Sequence, residues 1–162
     1  MVSRRHALAL FAAALIGPKA ARAAAPRLAI VDWAVLETAL ALGIVPAAAA
    51  ELRQYRALVG PVPEAVADLG LRGAPNLEAL AAVAPELILI SNFYERQRAA
   101  FSRIAPVRAL SVYADDAPWP AAEALARDLA ALAGSPARGD AYVAEVAAEF
   151  AALRRPSARP VF

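Results

Sequence analysis

Short apolar runs alternate along the chain with stretches in which apolar residues recur every three or four positions. Arg27 to Asp32 forms the first run and reads as a strand. Trp33, Leu36, Leu40 and Ile44 then follow at helical spacing, and Gly43 closes that helix as a C′ residue would. Ile44 to Ala50 reads as a second strand. The polar, proline-containing stretch from Glu51 to Glu64 reads as a surface loop, and Val66 to Leu69 as a brief third strand. A turn with two glycines, Gly70 and Gly73, precedes Asn76, which predicts an N-cap with Glu78 in the first helical turn. Leu87-Ile88-Leu89-Ile90 is apolar throughout, as a strand covered on both faces would be. A polar loop over 91–97 leads to a short helix ending near Arg103, and Val107 to Val112 reads as a further strand. Pro120 to Ala133 predicts a helix closed by Gly134. Ser135-Pro136 then starts a long helix reaching about Arg155, with Pro156 as its stop.

This alternation predicts an α/β fold: a single lobe with a central, mainly parallel sheet flanked by helices. The start of the chain reads differently. Arg4-Arg5 precede an apolar run from Ala7 to Ile16, and Ala21-Arg22-Ala23 offers a cleavage site, so residues 1–23 read as a signal peptide of the twin-arginine type. Ten apolar residues are too few to cross a bilayer roughly 30 Å thick as a helix. The expected location is periplasmic.

Charge changes little once the leader is set aside. Four of the 17 basic residues lie within the first 23 positions, which leaves the remainder mildly acidic. Such a chain lacks the electrostatic footprint of a nucleic-acid binder. There is no cysteine, and the single histidine, His6, lies in the leader. A Ser-His-Asp triad, a Cys-His pair and histidine or thiolate metal sites are thereby excluded from the mature chain. No Gly-rich phosphate loop or nucleophile elbow is present. An enzyme would have to rely on carboxylates such as Asp32, Asp115 and Asp116, and adjacent acids in a polar loop more often cap a turn; the expectation is a protein that is not an enzyme.

Several segments occur together in a distinctive order: Ala29 to Trp33, Leu40 to Pro46, Asp68 to Arg72, Pro75 to Leu80, Pro85 to Ser91 and Arg103 to Pro106. In this order and spacing the chain resembles the substrate-binding proteins of iron-siderophore and cobalamin ABC importers, and within them the hydroxamate-siderophore receptors of the Fhu type. The resemblance runs along the whole chain but over only about the first half of that family's usual length. It implies two α/β lobes joined by a long rigid helix, with ligand between them. Residues 24–134 would form the N-terminal lobe, 135–156 the connecting helix and 157–162 the start of a second lobe otherwise absent.

The resemblance also implies a function: capture of a ferric hydroxamate siderophore and its delivery to an inner-membrane ABC permease, with no cofactor because the siderophore itself holds the iron. It leaves open the same fold carrying cobalamin, haem or another siderophore, or a single-lobe fragment without function. Arg72 would contact the hydroxamate. A guanidinium offers a planar fork of donors with a permanent charge, and the flanking glycines allow close approach. Tyr94, in the loop after the buried strand, would add a phenol with one donor and a flat face. Trp33 is a candidate wall of the cleft or, equally, a core residue at a helix start. Where the family often has a ligand-stacking tryptophan, this chain has Leu58, which puts the identity of the siderophore in doubt. Glu95 would be the acid that meets the permease.

Overall fold

A computed structural model of the protein describes residues 25–113 and 117–153. Five strands form one sheet: β1 (Leu28–Ile30), β2 (Ala48–Ala49), β3 (Ala67–Asp68), β4 (Leu87–Ile90) and β5 (Val107–Ala109). Their order is β3-β2-β1-β4-β5 and every pairing is parallel. The register sets Ala29 beside Ala48 on one side and Ile88 on the other. The expected α/β lobe with a mainly parallel sheet is therefore what forms, although β2 and β5 are shorter than the apolar runs that announce them.

Side chains on successive strand residues point to opposite faces. Leu28, Ile30 and Leu89 fill one apolar cluster, and Ala29, Val31, Ile88 and Ile90 fill the other. A sheet covered on both sides explains the unbroken apolar run in β4. Helices α1 (Trp33–Ala41) and α2 (Leu52–Leu58) pack on the first face through Leu36, Leu52 and Tyr55. Helices α3 (Leu77–Ala82) and α4 (Arg98–Phe101) pack on the second through Leu80 and Phe101.

The local starts and stops are mostly those predicted. Asn76 caps α3 by accepting from the Ala79 amide at 3.0 Å. Gly43 and Gly134 take the left-handed conformation just after α1 and α5 (Pro118–Leu132), at φ 76° and 67°. Helix α6 (Pro136–Leu153) packs against α5, and the close point is Gly139. A Cβ there would lie 2.8 Å from Ala130 Cβ and 3.1 Å from Arg127 Cα, so only glycine lets the two helices meet.

Two expectations need correction. The stretch 51–64 is not wholly a loop, because α2 occupies its first half; Leu52 and Tyr55, one helical turn apart, are the residues it buries. Asp32 is not the end of a strand but the N-cap of α1. It accepts from the Ala34 and Val35 amides at 2.8 and 3.3 Å. The leader at 1–23, the Asp115-Asp116 pair, and the helix end and strand expected over 154–162 lie outside the described residues. No helix among those described is long and apolar enough to cross a membrane.

Candidate functional site

The strand order reverses between β1 and β4, because chain from β1 turns toward β2 and chain from β4 toward β5. Loops leaving such a point diverge to opposite faces, and open parallel sheets take ligands there, outside the carboxyl ends of the strands. Every sequence-predicted ligand residue leaves the sheet at that edge. Trp33 follows β1, Arg72 follows β3 and Tyr94 follows β4.

Arg72 and Trp33 are in contact. The guanidinium carbon lies 3.9 Å from the Trp33 ring centroid, a cation–π stack worth about 0.5–2 kcal/mol. The indole is fixed from below. Its Nε1 donates to the Ala50 carbonyl at 3.3 Å, and the buried Tyr55 ring meets it edge-on at 5.4 Å between centroids. Trp33 is thus half-buried against the core and also lies against the arginine.

A third residue, not foreseen from the sequence, completes the group. Arg72 donates through Nε to the Glu51 carboxylate. Glu51 follows β2 and holds a left-handed backbone, φ 59° and ψ 38°, which a residue with a side chain adopts only at a cost. Its amide donates to the Gly70 carbonyl at 2.6 Å, so the bend at Glu51 and the turn that carries Arg72 are tied together. Asp68 braces the same bend by accepting from the Leu52 and Gly70 amides at 3.3 and 2.9 Å. With Nε engaged, the two terminal nitrogens of Arg72 are the donors left for a guest.

Tyr94 lies on the 3₁₀ turn Asn92–Gln97, half-buried against the second cluster. Burial raises its phenol above the usual value; Asp32, Tyr113 and Glu51 push the same way, and Arg72 pulls it down. The phenol therefore keeps its proton, and its donor, across the physiological range. Gln97 of the same turn donates to the Gly73 carbonyl at 3.1 Å, linking the Tyr94 loop to the Arg72 turn.

Tyr113 is a further residue missed by sequence reading. It follows β5, half-exposed, with its ring 4.5 Å from that of the exposed Phe93. Burial raises its phenol as well, with Asp32 adding to the rise and Arg72 opposing it. An aromatic residue just after a parallel strand is the same signal that singled out Tyr94. Ser111 donates to the Asn92 side chain at 2.8 Å and holds the β4 and β5 loops side by side.

Asp32 and Ser91 lie beneath this layer, where β1 and β4 part. Asp32 is 2% exposed and accepts from Ser91 Oγ at 2.8 Å. Arg72, Trp33, Tyr94 and Tyr113 thus form a donor-rich, aromatic shelf over a buried carboxylate.

Two other predicted positions lie apart from the shelf's centre. Glu95 is exposed and makes a two-point ion pair with Arg98, at 2.6 and 2.8 Å, which holds its carboxyl below the usual range. Leu58 stands at the end of α2 with 69% of its surface exposed. A cavity of about 570 Å³ lies at the opposite, amino-terminal edge of the sheet, lined by residues such as Arg27, Leu42, Ile44 and Arg138. It includes none of the shelf residues. Among the described residues no cluster of three or more His, Cys, Asp or Glu side chains could hold a metal ion.

The chain is 40% identical over 84 residues to the iron(3+)-hydroxamate-binding protein FhuD of Escherichia coli K12, covering 51% of this chain and 28% of that protein. It superposes on the crystal structure of the siderophore-binding protein FhuD from Vibrio cholerae, bound to Fe3+-Desferal, with a TM-score of 0.71 and 34% identity. That match covers 80% of this chain and 50% of that one. The iron-uptake substrate-binding protein PiuA of Streptococcus pneumoniae shares the fold at a TM-score of 0.66 and 22% identity, over 80% of this chain and 47% of that one. The chain thus spans about half the length of the solved relatives, and less of the curated one. The periplasmic binding protein family matches residues 28–159, from the first residue of β1 through α6, and the chain belongs to that family.

Proposed function

We propose that this protein captures a ferric hydroxamate siderophore in the periplasm and delivers it to the permease of an ABC importer. The observation that carries this reading is the state of Arg72: a guanidinium stacked on Trp33 and ion-paired with Glu51, at the sheet edge where parallel α/β folds take ligands. Hydroxamate oxygens bound to iron retain partial negative charge, and the free donors of Arg72 and the Tyr94 phenol match them. The siderophore fills the coordination sphere of the iron, so the protein supplies donors and aromatic walls rather than metal ligands. No bond is made or broken, and the protein is not an enzyme. The similarity to two FhuD proteins, one holding Fe3+-Desferal, supports the ligand class.

The test is a titration of the protein with a gallium-loaded hydroxamate siderophore, which avoids quenching by the colour of the ferric complex. Trp33 lies under the contact, so its fluorescence should change saturably. Arg72→Ala should weaken binding by about ten- to a hundredfold, the worth of one or two hydrogen bonds from a charged donor. No saturable response up to millimolar ligand, or an unchanged Kd in the variant, would sink the proposal.

Delivery rests on Glu95 as the acid presented to permease arginines. It is exposed, and to meet them it would exchange its partner Arg98. Export by the twin-arginine route rests on Arg4-Arg5. A reporter fused behind residues 1–23 should lose export when both arginines become lysine; continued export would assign the general secretory route instead.

A further inference from the structure

The Glu51–Arg72 pair bears on which complexes the shelf accepts. Arg72 stacks on Trp33 with Glu51 bound to its Nε, and the two side chains are 32% and 17% exposed, so the pair is only partly screened by water. Asp32 lies buried close enough to raise both Tyr94 and Tyr113. Arg53 and Asp68 stand on the same rim as Glu51, around a depression of about 300 Å³. With the Tyr94 loop included, four carboxylates (Asp32, Glu51, Asp68 and Glu95) stand against four guanidiniums (Arg53, Arg72, Arg96 and Arg98). The shelf offers hydrogen-bond donors without an excess of positive charge.

We infer that Glu51 is a specificity-determining residue that turns Arg72 from an anion trap into a neutral-complex donor, so that the site favours uncharged metal hydroxamates over anionic metal catecholates. This rests on the siderophore reading given above. The chemistry of the two classes differs in charge. Three hydroxamate monoanions neutralise a trivalent ion, whereas three catecholate dianions leave three negative charges in excess. A complex of the second kind meets the Glu51 carboxylate beside Arg72, whose positive charge that carboxylate already offsets. Glu51 also takes a left-handed backbone, and its carboxylate meets Nε of Arg72. Such strain persists where surrounding contacts hold it, here the amide bond to Gly70.

The experiment compares the unmodified protein with Glu51→Gln, using gallium tris(acetohydroxamate) as the neutral probe and gallium tris(catecholate) as the anionic one. Both titrations are followed by intrinsic fluorescence at low and at moderate ionic strength. Removal of one negative charge from beside a ligand bearing three should raise the ratio of catecholate to hydroxamate affinity by about tenfold at low salt. The gain should shrink toward unity near physiological salt, as a charge effect does and a packing effect does not. Glu51→Asn, whose side chain tolerates the left-handed backbone, should shift the ratio in the same direction and guards against a fold lost through strain. Circular dichroism of both variants checks that the sheet is retained.

A ratio that stays the same in both variants, with the neutral probe still bound, overturns this inference and leaves the siderophore reading standing. Failure of the unmodified protein to bind either probe overturns both. A ratio that rises equally at all salt concentrations assigns Glu51 a packing role and overturns the charge argument.

Discussion

Phe101→Ala is expected to destabilise the protein by about 3–5 kcal/mol, the usual cost of removing a fully buried ring. Phe101 is the bulkiest of the fully buried side chains and the one α4 contributes to the core. It packs in the same cluster as Val31, Leu80, Ile88 and Ile90, and Tyr94 rests against that cluster from outside. The cavity would open beneath the loop that carries Tyr94, so the loss should reach the site as well as the core. For a chain of this size the Tm should fall by on the order of 10 °C. Thermal and urea unfolding would read the change, and a loss below about 1 kcal/mol would mean that the second face of the sheet collapses around the vacancy.

Asp32→Ala should cost about 2–4 kcal/mol. Two losses combine there. The α1 amides of Ala34 and Val35 lose their acceptor, at about 0.5–2 kcal/mol for an N-cap, and the buried Ser91 hydroxyl is left without its partner, at about 1–3 kcal/mol. Asp32→Asn retains an oxygen for the cap and an amide that can donate to Ser91, so its cost should stay below about 1 kcal/mol. Equal losses in the two variants, measured by urea unfolding, would show that the charge rather than the hydrogen bonds holds the junction together. Both variants should also lower the Tyr94 and Tyr113 phenols toward ordinary values, since Asp32 contributes to raising each.

The sequence pattern carried most of the architecture, for physical reasons that differ by element. Leu87 to Ile90 announced a doubly covered strand because both faces of a central strand must be apolar. Asn76, Gly43 and Gly134 marked helix ends because their side chains, or the lack of one, solve a backbone problem at one residue. Helix α2 was obscured because it buries only Leu52 and Tyr55, and Pro61 and Pro63 follow closely. Asp32 reads as a strand end because it follows an apolar run, while its capping role depends on amides that only the turn aligns.

Arg72 and Tyr94 stand out in the sequence through their loops together with the family resemblance, and both lie at the carboxyl edge of the sheet. Glu51 does not stand out. Its contact with Arg72 spans 21 positions and requires a left-handed backbone that no local preference of glutamate signals. Trp33 could be read two ways because its ring belongs to the core and to the shelf together.

The central place of β1 has a consequence for how the chain folds. The first of the described strands to be made is the one that ends in the middle of the sheet. One of its edges can close early, on β2 just beyond α1. The other stays bare until β4 has been made, with two strands and three helices in between. Leu28 to Ile30 therefore spends much of synthesis as an open apolar edge, the kind of surface on which chains pair wrongly. The docking of β4 is a long-range event that carries a large loop-closure cost, and it completes the junction where Asp32 and Ser91 meet. The shelf over that junction can form only after this step, which makes it a late feature in the folding of this chain.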